Sequence, residues 1–208
     1  MHFISPNSTL GRWLAFLLDA LLISVAWAIC SLPVITLGAA TAALNKVAMN
    51  WMKDRAGCTL GDFFRAFKEN WKTGTGVWLI LLIPLLFILF NAYATWIAMV
   101  QTSTVTQWMI LISAVLWMAV AIYAFALQAT FENTPMRTVM NALRIALCNF
   151  FKTVILLAIF AASIAMFIIF PLGAIFYTPI CIFLAARPIW SVFKKVIEMP
   201  EVTMTNQE

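Results

Sequence analysis

The chain has 208 residues, of which 13 are Lys or Arg and 8 are Asp or Glu, and its formal net charge is +5. It is 64% hydrophobic and only 10% charged, whereas an ordinary globular domain is about 45–50% apolar and about 25% charged. This composition excludes a water-soluble fold as well as the collagen, disordered and disulfide-scaffold classes, and it indicates an all-α, polytopic helical membrane protein with a single domain over residues 1–208.

The first predicted span covers about residues 13–35, and Asp19 is the only charged residue inside it. The alternative is a cleaved signal peptide over residues 1–35, with Arg12 as its basic region. We favour a span, because the apolar stretch is longer than the apolar region of a signal peptide, which has roughly 7–15 residues. Asp19 also interrupts the stretch, which a signal peptide would not favour.

Two amphipathic helices are predicted on the cytoplasmic side after this span, and the first covers about residues 39–55. Its apolar residues recur at the spacing of one helix face. They are Ala40, Ala43, Leu44, Val47, Ala48 and Trp51. Asn45, Lys46 and Asn50 fall on the opposite side. This pattern predicts a helix that lies at the membrane interface.

The second amphipathic helix is predicted at about residues 60–72 and has the sharpest periodicity in the chain. Its apolar face consists of Phe63, Phe64, Phe67 and Trp71, and the cations opposite are Arg65, Lys68 and Lys72. Such a helix is typical of the headgroup plane, where its rings enter the acyl boundary and its cations approach anionic lipid phosphates. A second interpretation, which does not exclude the first, is that the rings pack on the inner ends of the spans.

Two long runs without any charged residue follow, from Lys72 to Glu132 and from Lys152 to Arg187. A helix crosses a hydrocarbon core of about 30 Å in roughly 20 residues, so each run is long enough for two crossings. Polar residues 101–104 divide the first run, and Pro171 with the glycine at 173 divides the second. The predicted spans are therefore about 74–98, 107–130, 153–170 and 172–190, which makes five in all. A third amphipathic helix, at about 136–151, separates the two runs.

The positions of Lys and Arg predict the topology. All of these residues except Arg12 fall in segments 36–73 and 131–152 or after residue 186. Because cytoplasmic loops carry an excess of Lys and Arg, we expect the N-terminus outside and the C-terminus in the cytoplasm. The positive charge therefore belongs to the inner face of a membrane protein, and no nucleic acid is expected as a partner.

Two segments carry a family resemblance. Residues 31–44 read SLPVITLGAATAAL, with Ser31, Leu32, Pro33, Thr36 and Gly38 as the positions that stand out, and residues 62–72 read DFFRAFKENWK. Together they resemble the YesL-like family of small bacterial integral membrane proteins, a family of unknown function. The resemblance implies a multi-pass protein of a bacterial plasma membrane, often encoded beside carbohydrate ABC transporters and their two-component regulators. It supplies no catalytic residues.

The first of these segments has a simple physical interpretation. Pro33 removes a helix donor near the inner end of the first span, and Gly38 lets the backbone turn before the next helix. We therefore expect the segment to direct the chain out of the membrane.

A polar cluster is the candidate site inside the spans. Asp19 is the one ionisable residue within a predicted span, and a charge at that depth is costly unless it faces protein or water. Asn91 and Tyr177 are predicted at similar depth, so the three side chains form a candidate intramembrane cluster. In the alternative interpretation, Asp19 reaches outer water or Arg12 and has no function.

The sequence offers little for catalysis. His2 is the only histidine, and neither a C-x-x-C pair nor a Walker A, G-x-S-x-G or H-E-x-x-H motif occurs. We therefore expect no enzyme, no metal and no cofactor.

Two functions remain after these exclusions. The first is a non-catalytic accessory or regulatory component associated with carbohydrate uptake, with the lipid bilayer and an ABC transporter permease or a sensor kinase as partners. The second is a small carrier or channel that uses Asp19 and Asn91 as a polar vestibule. Association of the chain into a homo-oligomer is open in both cases.

Overall fold

Seven α-helices form the described part of the chain, which comprises residues 9–54, 60–96, 103–170 and 174–198 of this computed structural model. In chain order they are α1 (Thr9–Ser31), α2 (Leu37–Asp54), α3 (Leu60–Trp96), α4 (Thr104–Thr130), α5 (Pro135–Cys148), α6 (Phe150–Ile169) and α7 (Ala174–Glu198). No β-strand occurs within these ranges, and the all-α prediction is confirmed. The predicted break at Pro171 lies outside the described residues.

The core of the bundle is centred on α2, which packs against α1, α3, α4 and α7. Eight of its side chains are at most 3% exposed: Ala39, Ala40, Ala42, Ala43, Leu44, Val47, Ala48 and Met49. The many alanines allow the neighbouring helices to approach closely. The prediction of an interfacial helix at 39–55 is therefore corrected, because a helix buried on most sides is a core helix.

Asn45 explains why the pattern of α2 was misleading. It was placed on the polar side by its residue type, yet it is only 5% exposed. Its side-chain amide donates to the carbonyl oxygen of Thr41 at 2.9 Å, one turn earlier in the same helix. A polar residue that satisfies itself in this way can be buried at little cost, so residue type alone does not reveal its environment.

α3 is one continuous helix of 37 residues with Pro84 inside it. The predicted division into an amphipathic helix at 60–72 and a span at 74–98 is wrong, since no break separates them. At 1.5 Å per residue the helix is about 55 Å long. Residues 60–72 belong to the same helix as the apolar segment that is long enough to cross a membrane, so they do not form a separate helix in the headgroup plane.

Two helices of the described chain are long and apolar enough to cross a membrane, namely Leu60–Thr95 and Thr104–Thr130. The pair α5 and α6 adds a third candidate if the two helices form one bent span. These helices indicate a membrane location, but the predicted number of five spans is corrected to two or three. The apolar part of α1, Leu18–Ser31, is shorter, and α7 extends past the predicted end at 190 to Glu198.

The core fills only one half of α4. The residues from Ala119 to Ala129 are buried, whereas Trp108, Met109 and Ile112 in the other half are at least 60% exposed. α3 shows the same division, because Ile83 and Phe87 are at least 70% exposed. Exposed rings and branched side chains of this size are expected to face lipid rather than water.

α5 and α6 meet at a sharp bend of 105°. Pro135 begins α5, where a missing N–H costs nothing, and Asn149 separates the two helices with its N–H donating to Ile145 O at 3.0 Å. After the bend, α6 packs against α7, the next helix of the chain. The two helices thus form a right-angled corner at the end of the bundle where the chain is predicted to face the cytoplasm.

Candidate functional site

Residues 31–38 form a tight turn that redirects the chain from α1 into α2. α1 ends at Ser31, two residues before Pro33, because a proline disfavours helical geometry in the residue before it. Thr36 holds the turn together: its N–H donates to Pro33 O at 2.9 Å, and its hydroxyl lies 2.6 Å from Cys30 O and 2.8 Å from Pro33 O. Leu32 is 79% exposed. The contacts of Thr36 with backbone carbonyl groups therefore stabilise the turn.

Gly38 has a contact role, which differs from the turning role predicted for it. It lies inside α2, where a Cβ would overlap the Cβ of Trp78 and come within 2.5 Å of the carbonyl oxygen of Gly74. A Cβ on Gly74 would in turn lie 3.0 Å from the Cα of Ala39. The absence of side chains at both glycines therefore allows the backbones of α2 and α3 to touch.

The first part of α3, residues 60–72, divides its apolar face between the core and the surface. Phe63 is fully buried, and Phe67 packs against the core beside it with ring centroids 6.3 Å apart. Phe64 and Trp71 are 49% and 47% exposed. The rings therefore pack against the bundle, as in the second interpretation above, but two of them remain at the surface.

An open groove of about 490 Å³ lies along this part of α3 and is called the α3 groove here. The residues that line it are Phe67, Lys68, Glu69, Trp71, Lys72 and Thr73. Trp71 contacts Phe67 edge to face, with ring centroids 5.3 Å apart. Glu69 is paired with Lys46 of α2, Nζ to Oε2 2.6 Å. The two lysines of the groove have no ion-pair partner among the described residues.

The ion pair between Lys46 and Glu69 was not predicted. The two residues are 23 positions apart and lie on different helices, and no local pattern connects them. The pair stabilises the contact of α2 with α3 only modestly, because both side chains are partly exposed. Arg65, also an expected site residue, lies outside the groove with its Nη1 4.0 Å from Asp62 Oδ1.

Two buried hydrogen bonds attach α4 to the corner formed by α5 and α6. The hydroxyl of Tyr123 lies 3.3 Å from that of Thr153, and the hydroxyl of Thr138 donates to Gln128 Oε1 at 3.2 Å. All four side chains are at most 7% exposed. Interhelical bonds of this kind are worth about 0.6 kcal/mol each on average, and they fix the direction in which the corner points.

The exposed side of α5 has the form of an interfacial helix. Met136, Met140 and Leu147 are 60%, 45% and 64% exposed, and at 100° per residue they fall within an arc of roughly 40°. Arg137 and Arg144 are exposed in the adjacent strip. Of the three amphipathic helices predicted from the sequence, this one combines an exposed apolar strip with adjacent cations, which is the form of a helix at a membrane surface.

The predicted polar cluster is not assembled by any described contact. Asn91 donates from Nδ2 to the carbonyl oxygen of Phe87 at 2.8 Å, within its own helix. Asp19 is partly exposed on α1, and no described side chain forms a hydrogen bond or ion pair with it. Tyr177 belongs to α7, but its side chain lies outside the described residues. The cluster stays a prediction.

Across the described residues, no group of three or more His, Cys, Asp or Glu side chains is arranged to hold a metal ion. Three cysteines of this part of the chain are free, Cys30, Cys148 and Cys181. The notable features of the site are therefore surfaces: the α3 groove and the corner of α5 and α6.

Comparison with protein families gives one finding. Residues 16–92 match the family described as Protein of unknown function, DUF624. The match covers most of α1, all of α2 and nearly all of α3, and it includes both segments that carry the resemblance described above. The DUF624 match does not establish the name YesL for the chain. No curated protein and no solved structure matches it.

Proposed function

We propose that this chain is a non-catalytic integral membrane protein that binds another membrane protein at its cytoplasmic side, as an accessory or regulatory component of carbohydrate uptake. The single observation that carries the proposal is the α3 groove, which combines exposed aromatic surface with two lysines on a helix longer than a bilayer. The start of α3 and the end of α7 lie on the cytoplasmic side in this proposal, as the distribution of Lys and Arg indicates.

The length of α3 supports a segment that projects from the membrane. A hydrocarbon core is about 30 Å thick, and α3 is about 55 Å long, so roughly 25 Å of helix extends beyond the core. All the charged residues of α3 fall between Leu60 and Thr73. The projecting part is therefore this end of the helix, and the α3 groove lies on it.

The composition of the α3 groove supports a protein partner. Trp71 is about half exposed, and tryptophan is enriched among the residues that contribute most to protein interfaces. Lys68 and Lys72 are one helical turn apart on the same face, since residues four apart are neighbours on a helix. An amphipathic segment with acidic and apolar residues has the complementary chemistry.

The class of partner comes from the resemblance to the YesL-like family. That resemblance implies a bacterial plasma membrane and a genetic setting of ABC transporters and two-component regulators. We therefore propose an ABC transporter permease or a sensor kinase as the partner.

Copurification tests this proposal. The chain is expressed together with a carbohydrate ABC transporter permease and a sensor kinase from the same bacterium and is purified in mild detergent. Wild type is expected to retain one of the two, and the double variant Lys68→Glu and Lys72→Glu, or Trp71→Ala alone, is expected to lose it. Arg65→Glu is the matched control, because Arg65 is a cation of the same helix outside the α3 groove.

Two outcomes contradict the proposal. One is recovery of the chain without either partner in wild type. The other is equal recovery with wild type and with the variants of the α3 groove. Solute flux through liposomes that contain the purified chain, with loss of that flux in Asp19→Asn, would instead favour a carrier or channel.

A further inference from the structure

A second surface lies away from the α3 groove, where the start of α6 meets the last turns of α7. We propose that Lys152 and Lys195, with Ser191 between them, form a binding site for the phosphate of an anionic phospholipid headgroup in the cytoplasmic leaflet. We call this the α6–α7 site. It does not depend on the partner protein proposed above.

The two lysines are brought together by helix packing. Lys152 donates from Nζ to the hydroxyl oxygen of Ser191 at 2.6 Å, and Ser191 donates its own proton to Pro188 O at 2.9 Å. The orientation of the Ser191 hydroxyl is therefore fixed, with a lone pair toward the ammonium group. Lys195 lies one turn further along the same face of α7, and its charge acts on Lys152.

No described carboxylate neutralises these charges. Among the described residues, ion pairs join Lys46 to Glu69 and Arg65 to Asp62, and neither pair includes Lys152 or Lys195. The ammonium group of Lys152 has three N–H donors, and within the described chain only Ser191 accepts from it. Two like charges with unused donors at one place favour an anion that accepts from both.

The surroundings of the site favour lipid as the source of that anion. Phe150 and Phe151 precede Lys152 and are 67% and 83% exposed, although they are large apolar rings. They stand edge to face with centroids 6.0 Å apart. Rings of this kind enter the boundary between headgroups and acyl chains, which places the ammonium group of the next residue at the level of lipid phosphate.

The depth of the α6–α7 site agrees with this assignment. The helix that follows Lys152 is apolar and uncharged as far as Ile169, and the corner with α5 marks the level at which the chain leaves the interface. A phosphate bound here has two cations beside it and two exposed rings at the first two positions of α6. A free phosphate ion has no apolar part that could contact the rings, whereas a phospholipid has acyl chains that can.

Lipid binding to the purified full chain in detergent tests the proposal. The chain is titrated with short-chain phosphatidylglycerol, with short-chain phosphatidylcholine and with inorganic phosphate, and bound lipid is counted by native mass spectrometry. We expect tight binding of phosphatidylglycerol only. Lys152→Gln and Lys195→Gln should each weaken it about five-fold, which corresponds to about 1 kcal/mol per cation at a membrane surface.

Two further variants separate the geometry from the charge. Ser191→Ala keeps both cations but frees Lys152, and it should weaken phosphatidylglycerol binding by about two-fold to three-fold, the loss of a hydrogen bond of modest strength. Arg65→Gln removes one positive charge from α3, far along the chain from the α6–α7 site, and should leave binding unchanged. Far-UV circular dichroism of each variant shows that it is folded.

Several results would overturn the proposal. Equal binding of phosphatidylglycerol and phosphatidylcholine would show that charge plays no part. Competition by inorganic phosphate at the same concentration as the lipid would make the site one for soluble phosphate. Competition by an acidic peptide at that concentration would make it a protein-binding surface. Equal losses in Arg65→Gln and Lys195→Gln would reduce the effect to net charge.

Discussion

Gly38 and Gly74 occupy the point where α2 and α3 come closest, and the packing at this point depends on two missing side chains. Trp78 covers Gly38 from α3 and is only 7% exposed. The close approach brings the alanine-rich face of α2 against α3. Because α2 is the core helix, a displacement here would be transmitted to every helix that packs on it.

Gly38→Ala is expected to destabilise the protein. Alanine gains up to about 1 kcal/mol in helix propensity, but its Cβ would overlap Trp78, and overpacking of a close contact typically costs about 1–3 kcal/mol. The relevant Cβ would meet the Cβ of Trp78 and the backbone of Gly74, neither of which can rotate away. Thermal unfolding in detergent measures the effect as a lower midpoint.

Gly61→Ala is the matched control, because Gly61 is an exposed glycine in the first turn of α3. It should leave the midpoint unchanged or raise it. A midpoint for Gly38→Ala equal to that of wild type would mean that α2 and α3 do not touch at this point.

Individual residues were the hardest scale to predict from the sequence. Pro33 predicts an exit from α1, and the chain does turn after Ser31, whereas Gly38, predicted to allow the turn, lies inside α2 against Trp78. The bond from Thr36 to Cys30 O and the approach of Gly38 to Trp78 depend on distances between helices, which no local pattern contains. The same limit applies to Lys46 and Glu69.

At the scale of helices, periodicity indicated residues 60–72 of α3 as the clearest interfacial helix, whereas in the structure α5 has the better form for an interfacial helix. Residues 60–72 have the clearer pattern of rings and cations, but they continue a crossing helix and project from the membrane. α5 has the weaker pattern, but it meets α6 at 105°. If α6 alone crosses the membrane, a helix at 105° to it lies nearly parallel to the membrane, and α5 then fits the headgroup plane.

Depth measurements along α5 test this orientation. Nitroxide labels on single cysteines at Met136, Met140 and Leu147 should all report the same depth in the acyl boundary, because the three side chains share one strip of a helix that lies in the plane. A label at Arg144 should report a shallower position, since that residue faces the headgroups. Accessibility to oxygen and to a water-soluble nickel chelate measures each depth.

A different gradient would contradict this placement. If α5 and α6 formed one bent span with α5 entering the membrane, the depth would change steadily from Met136 to Leu147. The expected change is roughly 16 Å, since each of the eleven steps adds 1.5 Å along the helix axis.

The helices themselves could be predicted from the sequence, and their ends and arrangement could not. Long apolar runs and helical periodicity predicted α-helix in all the described segments, because both signals are local. Gly74 and Gly76 lie within α3, and the absence of a side chain at each allows a close contact with a neighbouring helix. Burial of α2 depends on what surrounds it, and the sequence of α2 does not contain that information.

At the scale of the whole molecule, the helices form a bundle whose side chains are closely packed and buried at one end, the tight end, and exposed at the other, the open end. The tight end contains α2, the second half of α4 and the corner of α5 and α6. The open end contains the exposed apolar halves of α3 and α4. Both proposed surfaces, the α3 groove and the α6–α7 site, lie on the end that carries the cations.

This arrangement assigns separate tasks to the two ends. In the two proposals made above, exposed apolar side chains at the open end contact lipid, and the positively charged end presents one surface to a partner protein and another to anionic lipid. The two proposed surfaces require that α3 begin and α7 end on the same side of the membrane. They also require that this side be the cytoplasmic one.

The orientation is the central claim, and cysteine labelling tests it most directly. In a variant without native cysteines, single cysteines are placed at Lys68, Lys195 and Val105, and intact cells are treated with a maleimide that cannot cross the membrane. Because the positively charged end is cytoplasmic in this orientation, we expect labelling at position 105 in intact cells, and labelling at 68 and 195 only after the cells are opened. Labelling of position 68 or 195 in intact cells would contradict it.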